Sequence, residues 1–183
     1  MTDKILFCKI TPMKYYKGIC DDDPAPYMLQ GVHAGEQYNF KPVIEKDGRI
    51  CCHGYFENQE RNVILENFDK NEKSDSTRNV LVVWCTRYDD FGNVIVGWYK
   101  NATVFRELKR LPDWHDTIAD IENCVLLPEK IRKTEQWKLP DSIILQQNPY
   151  KYANTREIQE YAEKISKQIN NYEVNNWILK YPY

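Results

Sequence analysis

VLVVWCTRYDDFGNVIVGWYKNATVFR, from Val80 to Arg106, sets two runs of β-branched and aromatic residues on either side of DDFGN. Each run is largely apolar, and Asp89 to Asn93 supply turn chemistry, so the segment predicts an antiparallel hairpin. The second strand is unusual. Within GWYKNA it carries Gly97, two large aromatics, a lysine and an asparagine amide. Strand alternation places Trp98 and Lys100 on one face and Tyr99 and Asn101 on the other.

Working outward, KILFCKI at 4–10 predicts a buried strand, and YNFKPVIEKDGRICCHGYF predicts a second hairpin whose turn is Asp47-Gly48. CDDDPAPYMLQGVHAGEQ is an acidic, proline-containing loop, and Glu57 to Asn79 is a polar surface excursion. A short helix is expected near 113–121 and a strand near 123–127. From Thr155 onward Ile158, Tyr161, Ala162, Ile165, Ile169 and Tyr172 recur at three- and four-residue steps, which predicts an amphipathic helix. Asn154 and Glu157 have the spacing of a capping box at its start. The expected fold is therefore α+β: a curved, antiparallel, barrel-like sheet with a C-terminal helix. The expected layout is one domain over 1–183, a β-rich module at 1–153, the helix at 154–172 and a tail at 173–183.

Composition narrows the classes. The chain has 183 residues, 42% apolar and 28% charged, a composition ordinary for a water-soluble globular protein. No apolar run approaches the roughly 20 residues of a spanning helix, so a cytoplasmic protein without membrane contact is expected. The six cysteines are irregularly spaced, which argues against a disulfide framework. A net charge of -2 gives no general basic field, so any nucleic-acid contact must be local. The 13 tyrosines and 5 tryptophans exceed ordinary core needs and favour a binding surface.

Three clusters are candidate sites. In GWYKNA a ring beside an amide can stack on a nucleobase while the amide reads its edge, although the same pattern also fits a core tryptophan beside a solvated strand edge. MKYYKG, with Tyr15 and Tyr16 between Lys14 and Lys17, makes a basic aromatic lip suited to a phosphate backbone. In the third cluster Glu36, Tyr38, Asn39, His53 and Tyr55 face one another across the predicted hairpin. Asp90 with Glu107 and Lys109 matches the spacing of a divalent-metal nuclease, but the expected hairpin keeps Asp90 and Glu107 a strand length apart. Cys51-Cys52-His53 lacks the second ligand pair of a structural zinc site. No nucleophile elbow or phosphate loop is present. No catalytic residue, metal or cofactor is therefore expected.

ILFCKITPMKYYKG, GEQYNF, HGYF, the long hairpin, LLPEKIR and NPYKYAN together resemble a module found at the N-terminus of bacterial HNH-type restriction endonucleases and related defence proteins. The resemblance covers about residues 4–153 and is most specific at Val96–Arg106. It implies a PUA-like or SRA-like reader of a modified or flipped DNA base, with a nuclease domain or subunit as partner, and no His-Asn-His core lies in this chain. Under it Trp98, Tyr99, Asn101, Tyr15, Tyr16, Tyr38, Asn39 and Trp84 line a base pocket, while Lys14, Lys17, Lys100 and Arg106 contact phosphates. Two alternatives stay open: a metal-dependent nuclease or nucleotide-processing enzyme using Asp90, Glu107 and Lys109 or the His53 region, and a protein-interaction domain.

Overall fold

In the computed structural model, residues 4–23, 35–56, 62–110, 113–143, 145, 148–173 and 175–179 are described. Eight strands form one sheet: β1 (Lys4–Lys9), β2 (Pro42–Ile44), β3 (Ile50–Gly54), β4 (Ser76–Tyr88), β5 (Gly92–Lys109), β6 (His115–Asp120), β7 (Cys124–Leu126) and β8 (Tyr150–Tyr152). Two helices follow the sheet's main strands, α1 (Glu129–Arg132) and α2 (Arg156–Asn170). Most of the acidic loop, at 24–34, the start of the polar excursion at 57–61 and the end of the tail at 180–183 lie outside the described residues.

The sheet runs β2-β3-β6-β5-β4-β1-β8, with β7 also on β5. β1 pairs parallel to β4 and every other pairing is antiparallel. The sheet is open, ending on β2 and β8, so the barrel expected from the run of strands does not form. The long hairpin forms as predicted but extends further at both ends, and β5 reaches 18 residues. Its length lets it serve two neighbours on one side, β7 along Gly97–Tyr99 and β6 along Thr103–Lys109. At the division, Lys100 and Asn101 together oppose Leu81, a bulge in which Asn101 takes φ +51°. Asn79 sits in a matching bulge on β4 at φ +59°. Asparagine tolerates this left-handed conformation better than most residues.

Both faces of the central strands are covered, which explains their continuous apolar runs. Along β1, Leu6 and Cys8 enter one core while Ile5 and Phe7 enter the other. The first core gathers Trp84, Tyr99, Phe40, Phe56 and Tyr16; the second gathers Trp98, Trp137 and the Ile158, Ala162, Ile165 and Ile169 face of α2. Each isoleucine so buried contributes about 1.5–3 kcal/mol. Gly97 is required by close approach: a Cβ there would meet Val125 O at 2.3 Å and the Phe40 ring at 2.7 Å.

Two local expectations are corrected. The stretch expected as a helix near 113–121 holds strand β6, because its polar residues His115, Asp116 and Thr117 are buried in sheet pairing rather than exposed on a helix face. Thr155, not Asn154, occupies the N-cap of α2, and it makes no side-chain capping bond.

Candidate functional site

The expected base pocket is divided by the sheet. Trp84 and Tyr99 lie in one core and Trp98 in the other, all fully buried. Neighbouring strand residues point to opposite faces, so Trp98 and Tyr99 cannot wall one slot. Trp98 stacks on Trp137 at 5.3 Å and meets the edge of Tyr172 at 5.4 Å. Trp84 packs edge-on against Tyr99, and the Tyr99 hydroxyl donates to the Asn39 carbonyl. Tyr16 is buried too, its hydroxyl donating to Thr11 O at 2.7 Å. Asn39 spends its amide on Tyr55, donating from Nδ2 to the carbonyl at 3.0 Å and accepting from the backbone N–H at 2.9 Å. Of the five residues expected to face one another there, Asn39 and Tyr55 meet in this structural bond pair, while Glu36 accepts from Thr11 Oγ1 at 2.7 Å and His53 faces Asp113 and Glu45. Asn101 is exposed, and its bulge explains its identity.

The expected cations are largely engaged. Arg106 pairs with Glu66 at 3.0 Å and donates to the carbonyls of Ser74 and Glu72. Lys100 is half-buried on β5. Asp90 pairs with Lys133 at 2.9 Å in the hairpin turn, while Glu107 is exposed near the far end of β5, so they do not form one centre.

A surface grouping does form where Lys14–Gly18 runs against Gly35–Phe40. Gly18 N donates to Gln37 O at 2.9 Å and Phe40 N to Tyr16 O at 3.0 Å. Tyr38 is 42% exposed, with Lys41 Nζ 5.4 Å above its ring. Tyr15 leans on Trp177 at 5.6 Å, and Lys14 Nζ lies 4.7 Å over the Tyr15 ring. Lys17 Nζ donates to Ile178 O at 2.8 Å, and burial lowers its pKa from the usual lysine value. Asp22 accepts from Lys14 Nζ at 3.1 Å and from the Tyr15 hydroxyl at 3.2 Å. The buried Arg132 guanidinium secures this lip from beneath, donating to Met13 O at 2.7 Å, Lys14 O at 2.6 Å and Leu127 O at 2.7 Å.

A second grouping lies at the β3–β6 end. His53 of β3 and His115 at the start of β6 stack with centroids 4.2 Å apart. Asp113 Oδ1 is 2.5 Å from His53 Nδ1 and 3.3 Å from His115 Nδ1. Glu45, in the β2–β3 turn, lies 2.7 Å from His53 Nε2. Both imidazoles are buried, while the Asp113 side chain is 43% exposed and opens the cluster to solvent. Burial opposes charge on His53, but its hydrogen bonds to the Asp113 and Glu45 carboxylates outweigh it and raise the pKa above the ordinary histidine value. Burial likewise pushes the Asp113 carboxyl up, and the two imidazoles more than reverse this, holding it well below the usual range. Next to His115, burial pushes the Asp116 carboxyl up to about 7, against one hydrogen bond from Phe56 N at 3.1 Å.

Cys-His spacing in the sequence does not reveal this cluster. His53 and His115 are far apart in the chain, and only the pairing of β3 with β6 joins them. The legible signal was that Asp113 and His115 flank Trp114, which is 57% exposed with Arg110 5.9 Å from its ring. No protein-family model, curated protein or solved structure matches this chain. No helix among the described residues is long and apolar enough to cross a membrane.

Proposed function

We propose that the chain is a nucleic-acid-binding module whose contact surface is the lip formed by Lys14–Lys17 and Tyr38–Lys41. The observation that carries this reading is the exposed Tyr38 ring beside Lys41, on the same lip as Lys14, Tyr15 and Lys17. An exposed ring flanked by cations stacks any base and follows a phosphate backbone, which suits single-stranded DNA without strict sequence choice. Recognition through a closed PUA-like barrel and an aromatic cage is replaced by this surface mode, because Trp84, Tyr99 and Tyr16 fill one core and Trp98 the other. In the setting that the resemblance implies, such a module holds DNA for a nuclease partner of a restriction or defence system.

Asp22 makes the reading testable, since it competes with phosphate for Lys14. In fluorescence anisotropy with a 20-nucleotide single strand, affinity is expected to fall as salt rises, and Tyr38→Ala to weaken binding about tenfold, near one stacked base. Asp22→Asn is expected to strengthen binding a few-fold. Wild-type protein that ignores the oligonucleotide at low salt, or a Tyr38→Ala protein that binds as well as wild type, overturns the proposal.

A further inference from the structure

We propose that His53, Asp113 and His115 form a site for one first-row divalent transition-metal ion, with Glu45 as the outer carboxylate that orients His53. One potential ligand atom from each of the three residues lies within 4.8 Å of the others. Both imidazoles bring Nδ1 close to the same Asp113 oxygen, at 2.5 and 3.3 Å. An ion with bonds of about 2.1 Å separates tetrahedral neighbours by about 3.4 Å, so admitting it requires Asp113 to move back from His53 by about 1 Å. Its side chain is partly exposed and free to make that adjustment.

The two nitrogens of His53 face different carboxylates, and the arrangement assigns them different work. Nδ1 supplies a lone pair to the ion, and Nε2–H donates to Glu45 at 2.7 Å. Metal-bound histidines are commonly held by such an outer carboxylate, which fixes the tautomer and ring orientation. His115 Nδ1–H donates to the Asp113 carbonyl at 2.9 Å, so binding of the ion shifts that proton to Nε2, breaks this bond and presents the Nδ1 lone pair to the ion. The Phe105 ring stands edge-on to His115 at 5.6 Å, so one wall of the site is apolar. Two imidazoles and one carboxylate select zinc, iron, cobalt or nickel over magnesium or calcium, which prefer oxygen ligands. Three protein ligands and a solvent-facing side leave coordination positions open to water, unlike a closed structural zinc site.

The site is independent of the lip and does not rest on nucleic-acid binding. Its test uses the metal alone, on EDTA-stripped protein in a Cys20→Ser background that removes the one exposed thiol among the six cysteines. Calorimetric titration with zinc is expected to give one equivalent, and cobalt(II) to produce a visible absorption band displaced by zinc. Asp113→Asn is expected to weaken zinc binding about a hundredfold and Glu45→Gln about tenfold, with unchanged circular dichroism. Because Asp113 is partly exposed, its variant decides the matter even if His115→Gln fails to fold. No zinc uptake, zinc affinity unaltered in folded Asp113→Asn, or displacement of zinc by equimolar calcium overturns the proposal.

Discussion

The centre of the sheet and its β3–β6 end use side chains with chemical capability in opposite ways. At the centre, Trp84, Trp98 and Trp137 are buried for bulk, and the indole Nε1 of each has no hydrogen-bond partner among the described residues. At the β3–β6 end, both His53 ring nitrogens face carboxylate oxygens at 2.5 and 2.7 Å. An unpaired indole N–H costs stability and persists where packing gains exceed that cost. A ring with a carboxylate at each nitrogen instead specifies an orientation. The contrast teaches that residue type is a poor guide to function in this chain, whereas the polar partners of a residue are a good one.

The sharpest way to break the comparison is to remove bulk at the centre. Trp98→Ala deletes a ring packed against Trp137 and Tyr172, and is expected to cost about 3–5 kcal/mol in urea unfolding. Oligonucleotide affinity per folded molecule is expected to stay unchanged. If the variant unfolds like wild type but loses oligonucleotide affinity, Trp98 is a binding residue and the division between centre and edge fails.

Arg132 gives the next largest effect and joins core to surface. Its guanidinium is wholly buried and holds three carbonyls, two of them in the lip. Arg132→Met leaves those carbonyls unpaired at about 1–3 kcal/mol each, an upper range that relaxation and water entry reduce, so a net loss of about 3 kcal/mol is expected. Faster amide hydrogen exchange at residues 13–18 than in β4 would locate the loss in the lip. Uniform exchange across both would show that Arg132 serves the core alone.

Much of the strand framework was legible because local pattern controls it. Val80–Arg106 sets two apolar runs on either side of a turn, Asp47-Gly48 closes the β2–β3 hairpin with Gly48 at φ +86°, and α2 shows its period plainly. Closure of the sheet was not legible, since it depends on non-local choices such as the parallel pairing of β1 with β4. Strand β6 was hidden by its own chemistry: a buried His-Asp-Thr run reads as a polar surface until its neighbours are known. The candidate pocket failed for a related reason. Aromatic excess in the sequence suggests exposed surface, whereas most of these rings fill two cores, and of the expected wall residues Tyr15, Tyr38 and Asn101 retain exposure. Asp113 and His115 flank Trp114 legibly, but joining them to His53 needed the β3–β6 pairing.

The smallest expected effect concerns Asn101, the expected base-reading amide. Its exposed side chain and φ of +51° make it a bulge residue, chosen for a backbone conformation that lets β5 pass from β7 to β6. Glycine adopts that conformation without penalty, so Asn101→Gly is expected to change stability by less than about 0.5 kcal/mol and leave oligonucleotide affinity intact. Valine is stiff at χ1 and strongly disfavours positive φ, so Asn101→Val is expected to cost about 1–2 kcal/mol. The pair separates backbone from amide. If glycine abolishes binding while preserving stability, the amide reads a ligand; if glycine is silent and valine destabilises, the residue belongs to the architecture of the bulge.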